Sequence, residues 1–236
     1  MNFLGLWARG MTSRPNRRAL DSIAINNAAS DGSGANSRGA SNNPGSVQYQ
    51  LRQYAESTLG KASLHEAVLL PEGESLDEWV ACHIVDFYNH INMLFMSISH
   101  HCTDESCPTM CAGEAYTYRW RDGVTYKEPT LVSANMYVKL LMKWVDAQLD
   151  DTTLFPVDLA VPFPPGFRSD VATQILRRML RVYAHLYWHH YPQVCQVGLA
   201  TMLNTSFTHF TLFVTKYKLV NDTELQAVKD VIKILA

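Results

Sequence analysis

The sequence lacks the marks of several large protein classes. No apolar run approaches the roughly 20 residues that a membrane helix needs. The amino terminus, MNFLGLWARGMTSRPNRR, carries its charges after a short apolar patch, the reverse of a secretory signal. An excess of one charge is missing too. The net charge is −2 over 236 residues, which points to neither nucleic acid nor an anionic membrane. Cysteine is sparse. Five thiols, an odd number with two in a close pair, suit a reducing compartment and a metal site better than a disulfide framework. A cytoplasmic protein is expected, with nuclear access left open. No phosphate-cradling glycine loop, nucleophile elbow, kinase signature or H-E-x-x-H occurs. A non-enzymatic role is therefore expected.

What is present is helical periodicity. In residues 169–191, SDVATQILRRMLRVYAHLYWHHY, Val171, Ile175, Leu176, Met179, Val182, Tyr183 and Leu186 recur at spacings of three and four. Ser169 reads as the N-cap and Pro192 as the far end. Arg177, Arg178 and Arg181 fall within about one turn. Such a trio is a solvated face in most helices and an anion site in some. His185 and His190 follow. Histidines near a helix C-terminus suit the helix dipole and need no metal. A distant Cys102-x4-Cys107 pair gives them a second meaning, because C-x4-C and H-x4-H are spacings used by structural zinc sites. Cys111 is a third candidate thiol and Cys82 a remote one. Two cysteines and two histidines would close a tetrahedron, leaving no open position for hydrolysis.

The chain divides by composition. Residues 1–45 read as a flexible basic arm and linker, with a charge of +3 that leaves about −5 for the remainder. Residues 46–236 read as one folded domain. Helices are predicted at 46–59, at 63–69 behind a Ser63/Glu66 capping box, and at 75–101 behind a Ser75/Glu78 box. The last is long and apolar enough to be central. Trp79, Cys82 and Asp86 lie along another face, with Glu74 and Glu78 at its N-terminal end. Capping and the helix dipole explain the two glutamates, but not Asp86. Residues 116–126 read as a small hairpin around Asp122-Gly123. A helix at 133–149, a packed proline-rich connection at 155–167, and helices at 194–203, 206–217 and 223–236 complete a mostly α-helical domain.

LPEGESLDEWVACHIVDFYNHINMLF, CTDESCPTMCAG, LDDTTLFP, VPFPPGF, ILRRMLRVYAHLYWHHY and LNTSFTHF together resemble the Mob family, the Mps-one-binder or phocein-like kinase co-activators. The likeness runs from about Val47 to Ala236 and is closest to the branch that activates NDR/LATS-type kinases. It implies a Mob-type domain built on a four-helix bundle, with a structural zinc held by Cys102, Cys107, His185 and His190. His189 is nearer to ideal helical spacing from His185, yet the family motif selects His190. Cys111 stands where the familiar sequences carry serine. The resemblance places a phosphothreonine-binding cluster on Arg177, Arg178 and Arg181. It places a kinase-binding face on Glu74, Glu78, Trp79 and Asp86, with His209 added, and regulatory phosphorylation on Thr12 and Thr58. The implied function is an adaptor for cell division or growth control. It would couple an NDR/LATS-type kinase to a phosphorylated Ste-like or Hippo-type upstream kinase, in the cytoplasm, the nucleus or at spindle-pole and cytoskeletal structures. The alternative within the family is a phocein-type scaffold in a phosphatase-kinase assembly.

Overall fold

The computed structural model describes residues 61–158 and 160–235. The basic arm, the helix expected at 46–59, Thr12 and Thr58 lie outside the described residues. Four long helical segments make the body: α2 (Leu76–Ile98), α3 (Ala134–Leu149), α4 (Thr173–His185) and α6 (Ala200–Lys216). The short α1 (Lys61–Ala67) packs on α6. α2 is central, touching α3, α4 and α6, and α4 also meets α3. The apolar stripe read from sequence explains this. Val80, Ile84, Phe87, Ile91, Leu94 and Ile98 of α2 are fully buried. Opposite them sit Phe207, Phe210 and Phe213 from α6 and Tyr183 from α4, also fully buried.

The helix ends differ from the sequence expectation at several points. Ser63 lies inside α1, two residues past its start. Ser75 precedes α2, but its side chain makes no capping hydrogen bond. Capping therefore does not account for Glu78. Ser133 and Asn221 do cap, accepting from the backbone N–H of Met136 and Glu224. The expected break near residues 204–205 is absent. The chain instead turns at Gly198, whose φ of 74° a side chain would oppose, and α6 runs unbroken from Ala200. The last stretch is three short pieces, α7 (Asp222–Leu225), a 3₁₀ turn (Gln226–Val228) and α8 (Lys229–Leu235).

The segment expected as one helix at 169–191 is also segmented. A π-helical turn (Phe167–Ala172) opens it after Gly166, so Ser169 lies inside that turn and is no N-cap. A second π turn (Leu186–His190) follows α4, and α5 (Tyr191–Gln196) carries Pro192 in its first turn. Proline is tolerated there because the first N–H groups of a helix have no partner to lose.

The hairpin forms earlier in the chain than Asp122-Gly123 suggests. Strand β1 (Cys111–Ala112) pairs antiparallel with β2 (Tyr116–Thr117), in register Cys111 with Thr117. The Asp122-Gly123 turn does form, with the Asp122 carboxylate accepting from the N–H groups of Val124 and Tyr126. Only a single bridge, Trp120 with Thr130, spans it. The proline-rich connection packs down as expected, with the Phe163 and Phe167 rings 4.4 Å apart and Phe167 buried.

Phe210 tests this packing. Its ring lies 5.0 Å from that of Phe87 on α2 and 5.2 Å from that of Tyr183 on α4. Phe210→Ala should lower stability by about 3–5 kcal/mol in denaturant unfolding. A loss below about 1 kcal/mol would contradict a tightly packed junction of the three helices.

Candidate metal centre and anion face

Two distant segments meet at the end of α4. The loop after α2 supplies Cys102 and Cys107, the last residue of α4 is His185, and the π turn supplies His190. Cys102 Sγ lies 3.5 Å from His185 Nε2, and Cys107 Sγ 3.3 Å from His190 Nε2. All four ligand atoms fall within 4.8 Å of one another, and all four residues are buried. A tetrahedral ion with bonds of about 2.0–2.3 Å needs ligand–ligand edges of about 3.5 Å, so the cluster could hold one.

The π turn makes this pairing possible. In an α-helix, at about 100° per residue, His190 would point roughly 140° away from His185 and His189 would lie beneath it. Hydrogen bonding from i to i+5 widens the turn by one residue and brings His190 under His185. Their rings stand 5.0 Å apart at 65°.

The surroundings prepare the site for a cation. His185 Nδ1 donates to the Cys111 carbonyl at 2.8 Å, which turns the unprotonated Nε2 toward Cys102. His190 Nδ1 is buried without a partner. Burial lowers His185 and His190 from 6.5 to about 4, so both stay neutral, the form that binds metal. Burial, then Cys107, pushes the Cys102 thiol well above its ordinary value. Two buried thiolates would repel without a cation between them. The loop is also tied to α3. Asn135 Nδ2 donates to the Cys102 carbonyl at 2.7 Å, and the Ala134 N–H to that of Cys107 at 3.0 Å.

Cys111 is not part of this cluster. Its sulfur faces His189 Nε2 at 3.3 Å. Cys82 lies far off on α2. Burial, followed by the charges of Asp86, Glu78 and Glu74, raises its thiol to about 11. Glu78 and Asp86 of α2 and Glu74 just before it therefore lie near the same thiol. Asp86 is half-buried, burial raises its carboxyl, and no ion pair involves it, Glu74 or Glu78 among the described residues. Trp79 Nε1 donates to the Val68 carbonyl at 3.5 Å. His209 packs against Phe87 and His83, both at 5.1 Å, and its Nε2 is buried without a partner. The structure thus brings His209 of α6 beside the middle of α2.

The arginines do not form a freely solvated face. Arg178 stacks between Trp120 and Trp144, at 4.7 and 4.3 Å, and donates to the Arg121 carbonyl at 2.8 Å. Arg181 lies over Tyr118 at 5.0 Å and donates to Tyr137 Oη at 3.0 Å. Arg177 Nε approaches the Glu224 carboxylate at 3.5 Å, near enough for ion pairing but without hydrogen-bond geometry. Arg177 Nε, Arg178 Nη1 and Arg181 Nε are buried without a hydrogen-bond partner among the described residues. The aromatic supports and Glu224 were not legible as site residues. Trp120 and Trp144 look like any core aromatic in sequence, and Glu224 like the acid of a capping box.

The fold is thus a helical bundle in which one helix carries the arginines and ends at a buried Cys2His2 cluster that could hold a metal ion. The chain belongs to the Mob1/phocein family, whose family model matches residues 56–228. It is 46% identical over 188 residues to a "MOB kinase activator-like 1A" of Medicago sativa subsp. falcata, covering 80% of this chain and 87% of that one. It is 47% identical over 191 residues to "MOB kinase activator-like 1 homolog A" of Dictyostelium discoideum, covering 81% and 89%. "Maintenance of ploidy protein mob1" of Schizosaccharomyces pombe is 46% identical over 188 residues, covering 80% and 89%.

Metal removal tests the cluster. Cys107→Ser or His190→Ala should lose the ion and lower stability by several kcal/mol, on the order of what such sites contribute. Metal analysis with melting curves in chelator measures both. Metal-free preparation with unchanged melting would contradict it. Acid acts in the same direction. His185 and His190 titrate at about 4 when folded and at about 6.5 when unfolded. The stability they contribute is complete above pH ~6.5 and is lost as pH falls toward ~4.

Proposed function

We propose that this protein is a non-enzymatic kinase co-activator. It binds an NDR/LATS-type kinase through the acidic face of α2. It docks a phosphothreonine segment of an upstream Ste-like or Hippo-type kinase on the arginines of α4. The ion in the Cys2His2 cluster is zinc and is structural, since two thiolates and two imidazoles fill a tetrahedron and leave no site for a reacting water. The names of the relatives, kinase activator-like proteins, support the class of function. The observation that carries the phosphopeptide reading is the set of unspent donors. Arg178 and Arg181 each hold a buried N–H with no hydrogen-bond partner among the described residues, and Arg177 Nε beside them meets only the Glu224 carboxylate, as an ion pair at 3.5 Å. A phosphate accepts several such bonds at once, and guanidinium groups bind it in a planar fork. Stacking on Trp120, Trp144 and Tyr118 fixes two of the guanidiniums before any ligand arrives.

The kinase face rests on charge without partners. Glu74, Glu78 and Asp86 have no ion pair among the described residues, and burial raises the Asp86 carboxyl. A basic helical segment would relieve that strain and pack beside Trp79 and His209. Complementary charge of this kind speeds encounter and selects partners.

Titration with phosphorylated and unphosphorylated threonine peptides tests the arginine face. Each charge-assisted bond is worth about 1.5–3 kcal/mol. Replacing Arg177 and Arg181 with alanine should weaken phosphopeptide binding at least about a hundredfold. Lysine at those positions keeps the charge, loses the fork and falls between. Glu224→Gln releases Arg177 and should tighten binding by up to about fivefold. Equal affinity for both peptide forms would return the cluster to a structural role.

Asp86→Val tests the other face. Burial already opposes the carboxylate, so the variant should fold with stability within about 0.5 kcal/mol of wild type. Its binding to a basic helical kinase segment should be lost in calorimetry. Retained binding would contradict the face.

A further inference from the structure

Beside the buried cluster lies a second set of metal-binding side chains. Cys111 Sγ is 3.3 Å from His189 Nε2, and a nitrogen of His185 lies within 4.8 Å of both ligand atoms. Cys111 belongs to β1 and His189 to the π turn, and both are less buried than the four ligands of the inner cluster. The same π turn that swings His190 inward leaves His189 facing β1.

The pair is held in place. The Gly113 N–H donates to His189 Nε2 at 3.3 Å, so that nitrogen is unprotonated and its lone pair is directed at the thiol strand. Gly113, with a φ of 64°, lets the turn pass close over Trp188. A Cβ there would stand 3.0 Å from the indole ring. The Trp188 indole in turn donates to the Ala227 carbonyl at 2.9 Å. Turn, tryptophan and the C-terminal segment thus fix the distance between Cys111 and His189. An imidazole lone pair and an ionisable thiol at this spacing suit zinc and its thiophilic analogues.

His185 decides the coordination number. Its Nε2 faces Cys102 and its Nδ1 is committed to the Cys111 carbonyl. Once the inner cluster closes on an ion, His185 has no nitrogen to give. The outer position then has two protein ligands, and water or a partner's side chain completes it. We propose that Cys111 and His189 form a second, solvent-facing site for a zinc-type divalent cation, adjoining the inner centre and coordinatively open. This rests on the inner cluster holding an ion. Binding replaces the weak Gly113 bond at His189 and releases the Cys111 thiol proton to solvent.

Cobalt is the probe, titrated into the full chain purified with one tightly held zinc. Wild type should take up a second equivalent with thiolate-to-cobalt charge-transfer absorption. Cys111→Ser and His189→Gln should each weaken that equivalent at least about tenfold, with the first zinc and the melting temperature unchanged. Cys82→Ser and Cys195→Ser should leave it intact. Absence of a second equivalent in zinc-loaded wild type overturns the outer site alone, as does its persistence at equal affinity in Cys111→Ser. A chain that holds no zinc tightly overturns the inner centre, and the outer site falls with it.

Discussion

The tie between the loop at Cys102 and Cys107 and the end of α4 is the constraint on which the rest depends. Hydrophobic burial assembles α2, α4 and α6 and takes in Met110 of the loop, and the Cys2His2 cluster adds a second meeting point between that loop and the end of α4. The loop in turn carries β1 and its hairpin, and it bonds to the first residues of α3 through Asn135 and Ala134. The loop, the hairpin and α3 thus meet at one end of α4, where α3 and β1 also pack on that helix directly. The coupling runs both ways, because the ligands reach a common point only if α4 ends in a π turn.

That dependence extends to the arginines. α4 ends in the metal cluster and carries Arg177, Arg178 and Arg181 a few residues earlier. The aromatic residues that hold Arg178 and Arg181 come from the segment after β2 and from α3. α3 also packs directly on α4, and the segment after β2 follows the hairpin that begins beside the cluster. An ion in the cluster would brace that side of the arginine face. The acidic region of α2 lies on different supports, since Trp79 and His83 pack toward α1 and α6. The two faces can therefore be separated by mutation.

Much of this was legible in sequence where periodicity or a spacing rule applied. The apolar stripe of α2, the helix over 133–149 and the packed 155–167 connection follow from local pattern. The four residues that meet in the cluster were named once the motif likeness chose His190. Spacing by itself favoured His189, because periodic reasoning assumes 3.6 residues per turn and a π turn breaks that assumption. The same blindness turned one segmented element into a single helix with Ser169 as its cap. The Asp122-Gly123 turn was read correctly, but ladder formation depends on what the flanking residues meet. Those residues, Trp120 and Tyr118, are spent on holding arginines. Partners across the fold, such as Glu224 on Arg177 or His189 on Cys111, have no signature in a linear sequence.

Anomalous scattering at the zinc edge, recorded from crystals of the full chain, tests the central tie most directly. Four-ligand closure predicts a strong peak among Cys102, Cys107, His185 and His190, at about 2.3 Å from each sulfur and about 2.0–2.1 Å from each nitrogen, with Leu186–His190 in π geometry. A strong peak that takes His189 in place of His190, on a regular α-helix, would contradict it, and so would a folded chain with no peak there.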